Sequence, residues 1–289
     1  MIIVRIKGGL GNQMFQYAAG RALSLNTGLP LVLDTRHYQR SREHGYGLEH
    51  FHLAVTRVPA TDLPPAPREQ PLAHWLWRLM RREPQLQSEA GLAFDPAIAT
   101  ISGPAWIDGY FQSERYFLAH AQTIRAELTP KAAPDAENAR WLEEIRAEPR
   151  AVSLHVRRGD YVANARFAAR HGSCTPDYYA RALAHVAEKT GVEPVIYAFS
   201  DDPDWVRDNL HLRAEIRVPG HNDAGRNYED LRLMSACRHH IIANSSFSWW
   251  GAWLNPRADK VVAAPARWFA DPDCVNPDIW PEGWARIEG

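Results

Sequence analysis

The densest block of side chains able to do chemistry is His155-Val-Arg-Arg-Gly-Asp-Tyr161. The residues before it, 151 to 156, alternate between two faces with the two-residue period of a strand. At the carboxyl end of such a strand in an open α/β sheet, Arg157 and Arg158 lie where ligands bind. Guanidinium forks pair bidentately with phosphate, so the block predicts an anionic ligand. The alternative is a solvated surface cluster of both arginines with Asp160.

Polar residues also follow two later predicted strands. Ser200-Asp-Asp202 follows a strand at 195–199, and Asn244-Ser-Ser-Phe-Ser248 follows a strand at 240–243. A carboxylate can accept hydrogen bonds from two N–H donors of guanine, whereas serine hydroxyls at a helix start suit a phosphate. Asp202 could instead cap the next helix. Because the carboxyl ends of parallel strands share one edge, these residues and the arginines predict a single ligand crevice.

The beginning of the chain follows the layout strand, glycine turn, helix. A strand at 2–6 leads into Gly8-Gly-Leu-Gly-Asn-Gln13, and the helix that follows ends at Gly28. This layout aims backbone N–H groups at an anion, although the glycines fit neither the dinucleotide fingerprint nor a P-loop. A tight packing turn is the alternative. Asn12 and Gln13 lie at the N-terminal end of the helix and carry both hydrogen-bond donors and acceptors, which favours the ligand-binding interpretation.

From residue 151 onward the sequence predicts strands and helices in alternation. The strands are at 152–156, 195–199, 215–218, 240–243 and 260–264, and the helices are at 176–190, 203–210, 228–238 and 246–254. This alternation indicates a parallel sheet with right-handed crossovers. Upstream, Ser113 is predicted to cap a helix that continues to Leu128. Prolines at 130 and 134 mark a linker, so two domains are predicted, 1–133 and 134–289.

The composition excludes several classes of protein. With 45% hydrophobic and 23% charged residues, the 289-residue chain is typical of a soluble globular protein, and its net charge of -1 gives no field that attracts nucleic acid. Three cysteines without CxxC spacing argue against a disulfide framework and a structural zinc site, and favour a reducing compartment. Met1 leads directly into a strand, and no apolar run approaches the ~20 residues of a membrane span, which predicts a cytoplasmic protein. The eleven tryptophans are more typical of core or interface positions than of a ligand cage, so no chemistry is assigned from their number.

The segment from Trp75 to Arg82 combines apolar and basic residues. In a helix, Trp75, Leu76, Leu79 and Met80 share a face opposite three arginines. Small basic amphipathic helices of this type rest on anionic lipid. An ordinary domain helix with solvated arginines is the alternative.

The arginine block resembles the HxRRGDY signature of the bacterial α-1,2-fucosyltransferases, glycosyltransferase family 11. Four further blocks resemble that family in the same order: Gly8–Tyr17, Gly109–Glu114, Phe199–Asp202 and Asn244–Asn255. The stretch from about Pro59 to Leu92 matches no block. Fucosyltransferases of the α-1,6 and protein O-linked classes share the arginine motif, but the tryptophan-rich last block and the N-terminal turn point to the α-1,2 group.

The resemblance implies an α/β protein with the GT-B fold, two Rossmann-like domains facing across a cleft. Domain 1–133 would bind the acceptor, and domain 134–289 would bind GDP-fucose. The implied reaction moves L-fucose, with inversion and without an essential metal or other cofactor, to the 2-hydroxyl of a terminal galactose. GDP is the second product.

The resemblance also implies roles for individual residues. Arg157 and Arg158 would bind the diphosphate and stabilise the charge that develops on GDP as it leaves. Either Asp201 or Asp202 would read guanine. The other donor-site predictions are Asn244, Ser245, Ser246 and Phe247, which line the phosphate or base pocket, and Asn12, which reaches the β-phosphate from the opposite domain.

The general base is left open by the sequence. A base must lie within hydrogen-bond reach of the attacking hydroxyl, and carboxylates and histidine suit this task. The candidates are Glu114, Asp108 and Asp34 in the first domain, and His155 and Asp160 in the arginine block. With Arg158, three of them, Asp160, His155 and Glu114, form the predicted catalytic set.

Two other functions stay open, an α-1,6-type fucosyltransferase and a non-catalytic protein that binds GDP or glycan on the same fold. The predicted partners are GDP-fucose and a terminal β-galactoside, on an oligosaccharide or on a lipid-linked glycan such as an O-antigen repeat. No nucleic acid is expected. The Trp75 to Arg82 segment could hold the protein peripherally at the inner face of the membrane.

Overall fold

A computed structural model describes residues 1–39, 44–67, 70–80, 83–158 and 169–289. Three residues singled out from the sequence, Arg81, Arg82 and Asp160, lie outside these ranges. The chain divides into two compact units, Met1–Leu128 and Thr129–Gly289. The boundary predicted from the sequence is at 133/134.

The first unit contains a four-stranded parallel sheet. Its strands are β1 (Ile2–Arg5), β2 (Leu31–Asp34), β3 (Leu86–Ser88) and β4 (Ala105–Asp108), and its helices are α1 (Leu10–Thr27), α2 (Pro71–Leu79), α3 (Pro96–Ala99) and α4 (Ala121–Glu127). The strand order is β2-β1-β4-β3. The order therefore reverses between β1 and β4, and in open α/β sheets such a switch point is where ligands bind.

Helix α1 packs closely on the strand before it. A Cβ atom at Gly20 would lie 2.1 Å from a methyl group of Val4, so only glycine fits this contact. The predicted end of the helix at Gly28 is confirmed, with Gly28 in the left-handed region at φ 69°. The predicted continuous helix after Ser113 is wrong. Ser113 caps a 3-10 turn, and Phe117, at φ -141°, interrupts the helical path before α4 begins.

The second unit contains a six-stranded parallel sheet. Its strands are β5 (Ala151–Val156), β6 (Val195–Ser200), β7 (Glu215–Arg217), β8 (His239–Ile241), β9 (Val262–Pro265) and β10 (Ala285–Ile287). Its helices are α5 (Ala136–Ala147), α6 (Pro176–Thr190), α7 (Pro203–Asn209), α8 (Asn227–Ala236) and α9 (Ser246–Trp253). All five strands and four helices predicted from residue 151 onward are confirmed to within about two residues at each end.

The strand order of the second sheet is β10-β9-β8-β5-β6-β7. Counted from β5 as the first strand and read from the β7 edge, this is the order 3-2-1-4-5-6 of dinucleotide-binding folds. The switch point therefore lies between β5 and β8. Strand β10 escaped prediction because three residues at a sheet edge carry too little periodicity to be recognised.

Helices cover both faces of β5, and all six of its residues are buried. One face packs on α6 through Tyr178, Tyr179 and Ala182, and the other packs toward α5 and α8. Helix α9 buries three tryptophans in the core of the second unit: Trp249, Trp250 and Trp253. All three cysteines are free thiols. Within the described ranges, no helix has both the length and the apolar character that crossing a membrane requires.

Candidate active site

The site is built at the carboxyl edge of three adjacent strands, β8, β5 and β6. Val156 lies opposite Ser200, and Leu154 lies opposite Ile241, so the segments that follow these strands start at nearly the same level. The arginine pair, the two aspartates and the segment from Asn244 to Phe247 are thereby brought together. This convergence is the one the sequence predicted.

Asp201 positions both arginines. Its Oδ2 lies 2.7 Å from Nη1 of Arg157, and its Oδ1 accepts a hydrogen bond from the backbone N–H of Arg158 at 2.9 Å. The Arg157 and Asp201 side chains keep 28% and 24% of their surface exposed, so the pair is partly open to a ligand. Asp201 is one of the two residues predicted to read guanine, and in this structure its carboxylate orients the predicted phosphate-binding residues.

Arg158 is held by a second set of contacts. Its guanidinium lies 3.9 Å from the ring centroid of Trp205, a cation–π arrangement, and its Nε lies 3.4 Å from Oδ2 of Asp202. The other oxygen of Asp202 accepts from the backbone N–H of Trp205 at 3.1 Å, which caps α7. The capping alternative for Asp202 is therefore confirmed. Stacking fixes the plane of the guanidinium and so its direction of hydrogen bonding.

Trp205 was not singled out from the sequence. The sequence feature that could have identified Trp205 is its position in the first turn of the helix that begins directly after Asp202. A residue there lies beside the carboxyl end of the preceding strand, because a helix that follows a strand in an open α/β sheet starts at that edge.

His155 is buried beside the arginine pair and is neutral. Burial, partly offset by the charge of Asp201, lowers the pKa of His155 to about 4. Its ring packs on Phe247 at a centroid distance of 5.5 Å, and its Nδ1 has no hydrogen-bond partner among the described residues. A buried imidazole nitrogen of this kind normally has a partner. This nitrogen can therefore accept or donate one further hydrogen bond, depending on the tautomer.

The depressed pKa of His155 predicts loss of stability in acid. The folded protein disfavours the protonated ring, so His155 stabilises the fold fully above about pH 6.5 and ceases to do so as the pH falls toward about 4. The loss amounts to at most about 3 kcal/mol. Denaturant unfolding at a series of pH values should show a shallower fall for H155Q than for the wild type.

The exposed His211 provides the matched control, H211Q, whose pH profile should follow that of the wild type. Buried His240, whose pKa is also lowered by burial, contributes acid sensitivity to all three proteins equally. Equal slopes for the wild type and H155Q between pH 6.5 and 4 would show that His155 is not held neutral by the fold.

Helix α9 begins at the carboxyl end of β8 and directs its first turn toward this edge. Ser245 is its N-cap residue, and its hydroxyl makes no capping hydrogen bond. The first N–H groups of any α-helix lack acceptors within the helix, so the start of α9 at Ser246 and Phe247 can bind an anion. The buried tryptophan cluster fixes the helix, in part through the indole N–H of Trp249, which donates to the carbonyl of Ile279 at 2.7 Å.

Asn244 holds the backbone around the site. Its Nδ2 lies within hydrogen-bond distance of the carbonyl oxygens of His171, Gly172 and Trp268, at 2.7 to 3.2 Å. The side chain is 5% exposed. In this structure Asn244 therefore ties the strand end to two neighbouring segments, and its predicted contact with the donor stays a prediction.

Asn12 and Gln13, at the switch point of the first unit, have different surroundings. The buried Gln13 amide donates to the carbonyls of Gly8 and Gly45 and accepts from the N–H of Gly47, so it serves the turn. Gly8 adopts φ +79°, which requires glycine. Asn12 is half-buried, and its Oδ1 accepts from Gln112 at 2.8 Å. The packing-turn alternative is thus correct for Gln13, while the role of Asn12 toward a donor stays a prediction.

Two of the candidate bases are engaged in ion pairs. Asp34 is 3% exposed and pairs with Arg36 at 2.8 Å. Asp108 pairs with Arg5 at 2.7 Å and with Lys7 at 2.6 Å. Both carboxylates are therefore already paired with cationic side chains.

Glu114 lies half-buried in the first turn of the 3-10 segment that follows Ser113. Its carboxylate acts electrostatically on Arg125, whose pKa it raises against the larger lowering by burial. Its predicted catalytic role stays a prediction.

Glu89 is a half-buried carboxylate that the sequence did not reveal. It follows β3 and accepts from the backbone N–H groups of Tyr110 and Phe111, at 2.8 and 3.1 Å, and from the hydroxyl of Tyr116 at 3.1 Å. Burial raises its pKa. Glu89 thereby fixes the loop after β4, in which Phe111 has φ 51° and Gln112 reaches Asn12. No motif marks Glu89, which belongs to the stretch without a matching block.

The part of the chain that the structure describes contains no group of three or more histidine, cysteine, aspartate or glutamate side chains arranged to hold a metal ion. Among the described residues at this edge, Arg157 and Arg158 offer positive charge to an anion.

Residues 91–288 match the model of Glycosyl transferase family 11. The chain belongs to glycosyl transferase family 11. The predicted family is thereby confirmed, and the match includes the arginine block, both aspartates and helix α9.

Two relatives that match over nearly their full length are bacterial. The chain is 33% identical over 300 residues to an alpha-1,2-colitosyltransferase of Escherichia coli, with 100% of this chain and 99% of that protein covered. It is 28% identical to the O-antigen biosynthesis glycosyltransferase WbnK of Escherichia coli, with 92% and 94% covered. A galactoside alpha-(1,2)-fucosyltransferase 1 of Alouatta belzebul is 26% identical, with 86% of this chain and 63% of that protein covered.

The fold is similar to that of a solved fucosyltransferase. A mutant of FUT1 of Arabidopsis thaliana in complex with GDP matches with a TM-score of 0.50 and 11% identity, over 98% of this chain and 76% of that one. With the two parallel sheets, this likeness confirms the predicted α/β class and GT-B fold.

Proposed function

We propose that this family 11 enzyme transfers L-fucose from GDP-fucose to the 2-hydroxyl of a terminal galactose, with inversion at the fucose anomeric carbon. The observation that carries the proposal is the arginine pair held by Asp201 at the β5/β8 switch point, beside the start of α9. This arrangement suits a diphosphate leaving group. The α-1,2 linkage is supported by the names of the colitosyl and fucosyl relatives.

Charge stabilisation by the arginines is the core of the proposed mechanism. As the bond to fucose breaks, negative charge builds on the β-phosphate of GDP. Arg157 and Arg158 stabilise it, since preorganised cations act most strongly where charge develops. Two guanidinium groups supply the positive charge that a divalent ion supplies elsewhere, so we propose that transfer proceeds without a metal.

A strong general base is not required by this proposal. Departure of GDP ahead of attack leaves an oxocarbenium-like sugar. As the galactose 2-hydroxyl oxygen bonds to the anomeric carbon, its proton becomes acidic and passes late in the reaction to water or to the departing phosphate. The ion pairs of Asp34 and Asp108 agree with this view, because neither carboxylate is left as an unpaired base. His155 belongs to the predicted catalytic set. We propose that it forms a hydrogen bond through Nδ1 and does not remove the proton from the acceptor.

A second candidate function is colitosyl transfer, and the 33% identical relative favours it. Colitose is L-fucose without its 3-hydroxyl, so both donors present the same ring configuration to the enzyme. A site that hydrogen-bonds the 3-hydroxyl lowers kcat/KM for the donor lacking it by about 10⁴-fold or more. An apolar contact at that position changes the ratio of kcat/KM between the two donors by only about 10²-fold. Specificity for fucose therefore depends on one polar contact.

The donor is tested by measuring kcat/KM with GDP-fucose and with GDP-colitose on the same β-galactoside. The proposal predicts a higher kcat/KM for GDP-fucose, by about 10⁴-fold if the 3-hydroxyl is hydrogen-bonded. A higher value for GDP-colitose would replace the primary proposal by the second candidate, with the arginine mechanism unchanged.

We assign donor binding to the second unit and acceptor binding to the first. The proposed acceptor is a galactose-terminated glycan, and the O-antigen relative favours a lipid-linked repeat unit of a bacterial surface polysaccharide. Such acceptors are carried at the inner face of the membrane, so the proposed location is the cytoplasm next to that membrane. Peripheral contact through Trp75 to Arg82 is a separate proposal that depends on the surface of α2.

A further inference from the structure

Helix α2 presents its apolar stripe to solvent. Its exposed side chains are large and apolar: Leu72 at 70%, Trp75 at 57%, Leu76 at 43%, Leu79 at 64% and, just after the helix, Met80 at 60% of their full exposure. Their spacing of three and four residues places them in one row along the helix. They account for five of the ten large apolar side chains found exposed in the part of the chain that the structure describes.

The opposite side of α2 attaches it to the first unit. His74 and Trp77, three residues apart, are the half-buried residues of the helix. The Nδ1 atom of His74 lies 3.0 Å from the carbonyl oxygen of Pro65, and its ring meets the buried ring of Trp106 in β4 edge-on. An ordinary domain helix turns its apolar row toward the core. In α2 the apolar row faces solvent instead, so we expect a surface outside the first unit to cover it.

The small size of the row argues against a second protein chain as the surface that covers it. A nine-residue helix is about 13 Å long. Stable protein interfaces bury about 800 Å² on each partner, from roughly 20–30 residues. Five side chains on one short helix supply only a fraction of that, whereas a lipid surface accepts a single helix of this size.

The chemistry of the row and its neighbours matches an anionic lipid surface. Trp75 is an interfacial anchor, since tryptophan places its apolar ring and its N–H at the headgroup level. Arg78 is exposed on the helix, and from Arg68 to Glu83 the sequence carries four arginines and two glutamates. The helix itself, Pro71–Leu79, contains no acidic residue.

We infer that α2 is a peripheral membrane anchor that lies in the headgroup region of an anionic bilayer, with its apolar row inserted and Arg78 at the phosphate level. Of the two alternatives left by the sequence, this inference adopts lipid contact. The anchor is independent of catalysis, because it acts through residues that belong to neither the arginine pair nor its supporting aspartates. Its effect is to hold the first unit at the surface that carries lipid-linked acceptors.

The test is flotation of the full-length protein with vesicles of phosphatidylcholine alone or of phosphatidylcholine mixed with phosphatidylglycerol. The wild type should float with the mixed vesicles, and high salt should weaken this binding because it screens the arginine contacts. The variant W75S/L76S/L79S should bind about tenfold less or weaker still, since burial of one leucine-sized side chain alone corresponds to roughly a tenfold step. R78E should weaken binding to the mixed vesicles only.

Matched controls remove exposed side chains of the same kind elsewhere. L118S/V192S/V275S alters residues that are 51%, 44% and 64% exposed, and R181E reverses an exposed charge on α6; both should float like the wild type. The inference fails if the wild type does not float with either vesicle, or if W75S/L76S/L79S floats as well as the controls. It also fails if light scattering shows a dimer that the α2 variant dissociates, because the row would then bind a second copy.

Discussion

Replacing Arg158 with alanine is expected to lower kcat by about 10²–10³-fold, the effect of removing one preorganised charge-stabilising group. The guanidinium is fixed by its stacking on Trp205 and by its contact with Asp202, so it does not have to reorient during the reaction. Binding of GDP should weaken less than kcat falls, because the charge that Arg158 stabilises is greatest as GDP leaves. The measurement is steady-state transfer from GDP-fucose together with calorimetry of GDP binding.

Lysine at this position provides a sharper comparison than alanine alone. R158K keeps the charge but loses the planar fork and the stacking, and its kcat should lie between those of the wild type and R158A. R181A, on the exposed side of α6, should retain wild-type kcat. A kcat for R158A close to that of R181A would contradict the arginine mechanism. If the wild type bound GDP without turnover and R158A only weakened that binding, the protein would be a binding protein.

The second large effect is expected at Asp201. D201N removes the carboxylate that pairs with Arg157 at 2.7 Å and accepts from the Arg158 amide at 2.9 Å. Loss of a hydrogen bond to a charged group costs about 1.5–3 kcal/mol, so GDP affinity should fall about tenfold or more. If Asp201 also contacts guanine, as the sequence predicts, loss of that contact lowers GDP affinity further.

Asp204 provides the control for this variant. It lies three residues further on, at the start of α7, and its side chain is 87% exposed and paired with Arg207. D204N should bind GDP as the wild type does. A double-mutant cycle with R157A and D201A then isolates their coupling. Additive losses would show that Asp201 serves the ligand directly and does not act through Arg157.

The second unit could be predicted from the sequence because local signals and the final packing agree there. Thr175 caps α6 and Asp202 caps α7, each followed by proline, so helix starts were visible in the residues. Buried strands that alternate with these helices indicate a parallel sheet with right-handed crossovers. Once the strands were placed, Arg157 and Arg158 had to lie at the carboxyl edge of the sheet.

The details of the site depend on contacts across the sheet, which sequence spacing does not encode. The pairing of Arg157 with Asp201 joins residues 44 positions apart and requires the β5–β6 register. Trp205 lies in the first turn of a helix, and Glu89 follows a three-residue edge strand that carries too little periodicity to be recognised. The orientation of α2 was also left open, since an amphipathic pattern shows that a face is apolar but not which surface covers it.

The central claim is tested most directly by incubating the purified protein with GDP-fucose and a β-galactoside such as lactose in EDTA, and determining the product linkage by NMR. The account predicts a product with fucose α-linked to the galactose 2-hydroxyl, formed with the metal chelated. Fucose on a 6-hydroxyl would make the protein an α-1,6-type enzyme. Absence of transfer to any galactoside from either GDP-fucose or GDP-colitose, despite GDP binding, would contradict the proposed enzyme activity.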